Sequence, residues 1–131
     1  MTTQKARPDR VLVVDDFQPM RSLLSTMLRQ LGFEYIDQAH NGRSALERFE
    51  SRKQTLVFLD ISMPDMTGLE VLRALRGMEG GEQAFVIMQT GDATRDNVLE
   101  ARELGVGGFI AKPYNMQKVK ELVGAYLKRA H

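Results

Sequence analysis

Apolar residues follow two alternating patterns along the chain. Short, nearly continuous β-rich runs occupy Val11–Val14, Tyr35–Ala39, Leu56–Leu59, Phe85–Met88 and Phe109–Ala111. Continuous runs of this kind suit strands covered on both faces. The second run is the most polar of the five. Between the runs, apolar residues recur at helical spacing. Met20, Leu23, Leu24, Met27, Leu28 and Leu31 form a full stripe that ends at Gly32. Ala45, Leu46 and Phe49 follow an Asn41–Gly42 turn. Leu69, Val71, Leu72 and Leu75 precede Gly77, and Val98, Ala101 and Leu104 precede Gly105. Met116, Val119, Val123 and Tyr126 form the last stripe, with Asn115 placed to cap it. The pattern predicts a (βα)5 chain, an α/β protein. Right-handed crossovers then put helices on both faces of a parallel five-stranded sheet. Residues 1–9 are expected to be a flexible N-terminal tail, and 10–131 a single domain.

Length and composition agree with one domain. The chain has 131 residues, 43% of them apolar, enough to bury about two thirds of its unfolded surface without staples. It has no cysteine, which excludes disulfides, thiolate metal sites and a cysteine nucleophile. Its formal net charge of +1 lacks the basic excess of a dedicated nucleic-acid binder. No signal-peptide core or membrane-length apolar run is present. A cytoplasmic protein that binds neither nucleic acid nor membrane is expected.

The chemistry lies at the ends of the predicted strands. Parallel strands share one C-terminal edge, where open α/β sheets place their ligand sites. The first run ends in Asp15–Asp16, the third in Asp60, the fourth in Thr90 and the fifth in Lys112. Each of these residues alone reads more simply as a turn, a strand end or a surface lysine. Their joint placement at one edge reverses that reading. Three carboxylates at one edge repel, at about 4 kcal/mol per pair of charges 4 Å apart in an effective dielectric near 20. A bound cation, protonation or a nearby lysine must offset this. Oxygen-only ligands suit Mg2+. Carboxylates, a divalent ion, a hydroxyl and a lysine together suit phosphoryl transfer. A carboxylate can itself accept the group as an acyl phosphate, and Asp60, a single acid closing the run LVFLD, is the best placed to do so.

Four segments carry a family resemblance: VLVVDD (11–16), LVFLDISMPDMTGLEVL (56–72), VIMQTG (86–91) and GGFIAKPY (107–114). Over about residues 9–130 the chain resembles the receiver domain of two-component response regulators, of the single-domain chemotaxis type. The resemblance implies a flavodoxin-like, doubly wound sheet of order 2-1-3-4-5. It implies that Asp60 is the phosphoacceptor and that Asp15, Asp16, Asp60 and the backbone carbonyl of Ser62 hold Mg2+. Thr90 and Lys112 would bind phosphoryl oxygens. Thr90 and Phe109 would form the switch, with readout through the fourth helix, fifth strand and fifth helix. Ser62 and Asp92 would tune the phosphoryl lifetime, and the bond before Pro113 would be cis. The donor would be a sensor histidine kinase or a histidine phosphotransfer protein. The receiver would then act on a downstream protein target or output domain, in a phosphorelay, catalysing only its own phosphorylation and dephosphorylation. The chain stops at the end of its fifth helix, so no output domain is expected within these residues.

Four positions depart from the family's usual pattern. Phe109 lacks the hydroxyl of the commoner tyrosine. Gln89 stands where an apolar residue is usual, and Gly107–Gly108 replaces the acidic pair of receivers that dimerise to drive DNA-binding domains. Two other functions compete. A phosphohydrolase of haloacid-dehalogenase type needs a second acid two residues after its nucleophile, where this chain has Ser62. A docking module without phosphorylation would not need the full set of acids, Thr90 and Lys112. Elsewhere the simpler readings hold. The methionines are core filler, His40 lies at the surface, and Lys118, Lys120, Lys128 and Arg129 form the solvated face of the last helix.

Overall fold

The computed structural model describes residues 7–90, 95–112 and 114–130. Five strands alternate with five helices: β1 (Arg7–Val14), α1 (Gln18–Gln30), β2 (Phe33–Ala39), α2 (Gly42–Arg52), β3 (Leu56–Asp60), α3 (Gly68–Arg76), β4 (Phe85–Thr90), α4 (Arg95–Glu103), β5 (Gly108–Ala111) and α5 (Met116–Ala130). The strands form one sheet in the order β2-β1-β3-β4-β5, every neighbouring pair parallel. This is the flavodoxin-like order that the resemblance implied. β1 starts earlier than its apolar run: Arg7 pairs with Phe33, and the ladder resumes at Arg10–Tyr35 after an irregularity. Residues 7–9, expected in the tail, therefore belong to the strand. Residues 1–6 lie outside the described residues.

Strand parity divides the core in two. Val11, Val13, Leu56, Phe58, Phe85 and Ile87 pack with Leu24 and Leu28 of α1 and Val119, Val123 and Tyr126 of α5. Their sequence neighbours Leu12, Val14, Val57, Leu59, Val86 and Met88 pack with residues of α2, α3 and α4. Side chains of a strand alternate between faces, so continuous apolar runs serve both layers. The helix starts follow local chemistry. Asn41 caps α2, its side chain accepting from Ser44 N at 2.8 Å. Asn115 does the same for α5, accepting from Lys118 N at 2.8 Å. Thr67 and Glu70 form a reciprocal capping box at the head of α3. Gly107 is required by space: a Cβ there would lie 2.5 Å from the Phe85 ring. Gly107, whose amide donates to Val86 O at 2.7 Å, thus lets the entry to β5 lie against β4.

Two arginines have roles that periodicity hides. Arg76 donates to the carbonyls of Gly81, Leu104, Ala84 and Gly105, tying α3 to the loop after it and to the end of α4. Arg129 is more than a solvated charge. It donates to Gln83 O at 2.8 Å and lies over the Phe85 ring, 5.5 Å from its centroid.

At the N-terminal end of the sheet, the Tyr126 hydroxyl bonds Thr55 Oγ1 at 2.6 Å and Asp9 Oδ1 at 2.9 Å. Burial, the main cause, and Asp9 push its pKa up to about 12, against a smaller lowering by Thr55. An acid with a raised folded pKa contributes stability that is complete below its unfolded value, here about 10, and lost as pH rises through the folded value. Tyr126→Phe is expected to lower stability by about 1 kcal/mol at neutral pH. It should also flatten the loss of stability between about pH 10 and 12, measured by urea denaturation at stepped pH.

Candidate functional site

The sheet topology gathers the strand-end residues into one cluster. Val14 pairs with Leu59, so Asp15 follows β1 beside Asp60, the last residue of β3. Asp60 pairs with Gln89, and Thr90 pairs with Ala111, which places Lys112 just past β5. Asp15, Asp60 and Thr90 are buried and Asp16 is exposed. One carboxylate oxygen from each of Asp15, Asp16 and Asp60 lies within 4.8 Å of the others. The Lys112 ammonium stands 2.8 Å from Asp15 Oδ2 and 3.1 Å from Asp60 Oδ2.

Each acid is held by local structure. Asp15 N donates to Ala39 O at 3.1 Å, and Asp15 Oδ1 accepts from Phe17 N at 2.9 Å. Arg21 Nη1 donates to Asp15 O at 2.7 Å, and its Nε reaches Gln38 Oε1 at 3.2 Å. Asp60 Oδ1 accepts from the amide of Ser62, an exposed residue, at 3.2 Å. The loop after Asp60 is anchored at its far side by Asp65, which accepts from Gly42 N and Arg43 N at the head of α2. Those amides, Gly42 first, hold the Asp65 carboxyl below its ordinary range against a smaller desolvation effect.

Electrostatics pull in opposite directions within the cluster. Burial raises the pKa of Asp60 and the Asp15 charge adds to this, while the Ser62 amide and Lys112 oppose it. Burial alone would lower the pKa of Lys112, but Asp15 and Asp60 together carry it above its ordinary value. One ammonium faces three carboxylates. Asp15 Oδ2 is buried and has the Lys112 ammonium beside it at 2.8 Å. An all-oxygen cluster of three carboxylates against a single ammonium, with negative charge in excess, fits a small hard cation. Asp15, Asp16 and Asp60 are the residues that could hold it.

The other positions fall as follows. Phe109 is half-buried against the α2–α3–α4 layer and pairs in register with Met88. Asp92 and Pro113 lie outside the described residues. Three side chains near the acids were not among the candidates. Arg21 lies on the polar side of the α1 stripe, where nothing in the pattern sets it apart. Asp65 sits in a Met-Pro loop and reads as a turn residue. Tyr114 is buried and bonds Gln89, and a polar residue in an apolar run was the signal for that pair.

Comparison with known proteins agrees with this geometry. A family model described as response regulator receiver domain matches residues 11–124. The chemotaxis protein CheY of Pseudomonas aeruginosa is 37% identical over 122 residues, which span 93% of this chain and 98% of that protein. The chemotaxis protein CheY-3 of Vibrio cholerae is 34% identical over 120 residues, 92% of each chain. A CheY-like receiver domain protein from Methanospirillum hungatei has a solved structure that superposes with a TM-score of 0.85 at 27% identity, covering 92% of this chain and 94% of that one. No helix among the described residues is long and apolar enough to cross a membrane.

Proposed function

The chain belongs to the response regulator receiver family, and from that premise we propose that it is a phosphorylation-switched signalling module with Asp60 as its phosphoacceptor. The observation that carries this reading is the cluster itself: three carboxylates within 4.8 Å of one another, with Lys112 in contact with two of them. Mg2+, held by Asp15, Asp16, Asp60 and the Ser62 carbonyl, would supply neutralising charge to the transferring oxygens.

The chain's own residues do the rest. A carboxylate oxygen of Asp60 attacks phosphorus in line. An oxygen–phosphorus bond forms as the phosphorus–nitrogen bond to the donor's phosphohistidine breaks, and the imidazole leaves. Lys112 places a fixed positive charge beside the acceptor and offsets charge on the phosphoryl oxygens. The Thr90 hydroxyl, at the end of β4, bonds a phosphoryl oxygen in the product. Phe109, half-buried beside β4, takes a more buried position, and the surface of α4, β5 and α5 changes. Phosphorylation shifts a pre-existing equilibrium, and only through contacts that differ between its two states. Water later attacks the acyl phosphate and resets the module. Ser62 and Asp92 set how fast this happens. The donor is a sensor histidine kinase or histidine phosphotransfer protein, and the recipient a protein that reads the changed surface.

Intact-mass measurement tests this after incubation with Mg2+ and a small acyl-phosphate donor. One added phosphoryl group is expected, absent when EDTA replaces the metal. No adduct in Mg2+ would instead assign a docking role without phosphorylation. Sustained hydrolysis of external phosphomonoesters would assign a turnover enzyme.

A further inference from the structure

Gln89 is fully buried in a strand, FVIMQT, whose other residues before Thr90 are all apolar. A buried amide left unpaired is costly, a cost that an apolar side chain at this position would avoid. Both ends of this amide are used. Nε2 donates to Val14 O at 2.9 Å, and Oε1 accepts the hydroxyl of Tyr114, itself buried. Parity explains the meeting. Gln89 continues the Phe85–Ile87 face of β4, which packs with Tyr114 in the α1–α5 layer.

The two anchors of this bridge lie beside the charged site. The Val14 carbonyl belongs to the peptide that leads into Asp15, and Tyr114 is two residues beyond Lys112. To reach β1 from β4, the Gln89 side chain crosses β3, where its own register partner is Asp60. The other backbone bonds of Asp15 run to Ala39 and Arg21, on the β2 and α1 side. The Gln89 amide therefore links Asp15 to the chain that carries Lys112, across the phosphoacceptor strand.

We propose that Gln89 and Tyr114 are positioning residues that hold Asp15 and Lys112 at the spacing the cation site requires. This rests on the reading of the acids as a Mg2+ site. A satisfied buried polar network fixes one geometry where an apolar pair would allow several. Groups that orient metal ligands from behind are commonly worth tenfold or more in metal affinity.

The test is calorimetric titration of the metal-free protein with MgCl2, for wild type, Tyr114→Phe, Gln89→Met and the double variant. Each single variant is expected to bind Mg2+ about tenfold more weakly. The double variant is expected to be no weaker than the worse single, because both remove one bridge. A purely structural role would lower the melting temperature and leave the Mg2+ affinity unchanged, and that result overturns the proposal. Tyr114→Phe removes a single oxygen and keeps its ring, so it decides the matter if Gln89→Met does not fold. Wild-type binding with unmoved variants overturns this proposal alone. A wild type that binds no Mg2+ overturns the functional reading and this proposal with it.

Discussion

Asp60→Asn is expected to abolish phosphoryl uptake and, in the metal-free protein, to raise the melting temperature by about 4 °C. The two effects have one origin. The amide keeps the shape of the carboxylate but offers no anionic oxygen to attack phosphorus. It also removes one of three clustered negative charges. The wild-type carboxyl has its pKa raised from 3.8, first by burial and then by Asp15. An acid with a raised folded pKa contributes stability below its unfolded value and loses it as pH rises through the folded value. At neutral pH the ionised Asp60 is therefore a net cost to the metal-free fold. Relief of about 1 kcal/mol corresponds to the stated shift in a chain of this size. The advantage of the variant should shrink as pH falls through the raised folded value, and vanish below the unfolded value of 3.8, where the wild-type carboxyl is protonated in both states. Asp15, 2.8 Å from the Lys112 ammonium in the wild type, remains as its partner, so the variant does not strand a buried cation. Addition of Mg2+ should reverse the order, because binding to the folded state stabilises the protein that holds the ion better. Melting curves at pH 7 and pH 4, with EDTA and with Mg2+, read all of this. A variant that melts below wild type in EDTA at pH 7 would refute the electrostatic account. A variant that still gains a phosphoryl group would refute Asp60 as acceptor.

The residues that were legible in the sequence are those whose signal is local. Val11–Val14 and Leu56–Leu59 are buried on both faces, so their apolar runs are unbroken, and the acids that end them stand out. Asn115 declares itself as a cap by position alone. β2 was harder to read, since it lies at the sheet edge with its five middle residues exposed or half-buried, and only Phe33 and Ala39 at its ends are buried. The contacts that escaped are long-range and polar. Asp65 reaches the head of α2 from a loop 23 residues away. Arg129 reaches Gln83, and Arg76 reaches four carbonyls on two loops. A helical period marks all three arginines, including Arg21, as solvent-facing, because it records which face a residue occupies and not what a long side chain bends towards. Gln89 broke an apolar pattern and was visible for that reason. Its partners, Val14 O and Tyr114, needed the fold.

Gly68→Ala is expected to destabilise the protein by about 3 kcal/mol, and to impair the phosphoacceptor loop as it does so. Gly68 is the first residue of α3, and its amide donates to Ile61 O at 2.8 Å. That bond turns the loop after Asp60 back upon the end of β3. A Cβ at Gly68 would stand 2.3 Å from Asp60 O, 2.8 Å from Ile61 Cα and 2.9 Å from Asp60 C. All three are backbone atoms, so no rotamer change relieves the clash. Either α3 moves away from β3, losing the burial of Leu69 and Leu72, or Asp60 itself shifts against Lys112 and the neighbouring acids. The glycine is thus required by space and not by backbone conformation, since its φ is not in the left-handed region. Gly124→Ala is the control of opposite sign. Gly124 lies within α5, and a Cβ there would meet nothing within 4 Å. Alanine should stabilise that helix by about 1 kcal/mol. The two substitutions add the same methyl group to the same chain. Equal melting temperatures for the two variants would show that contact between α3 and the Asp60 backbone is not what shapes the phosphoacceptor loop. A Gly68→Ala protein that melts far lower, and that takes up phosphoryl groups slowly even where it is fully folded, would show that the approach of α3 sets both stability and chemistry.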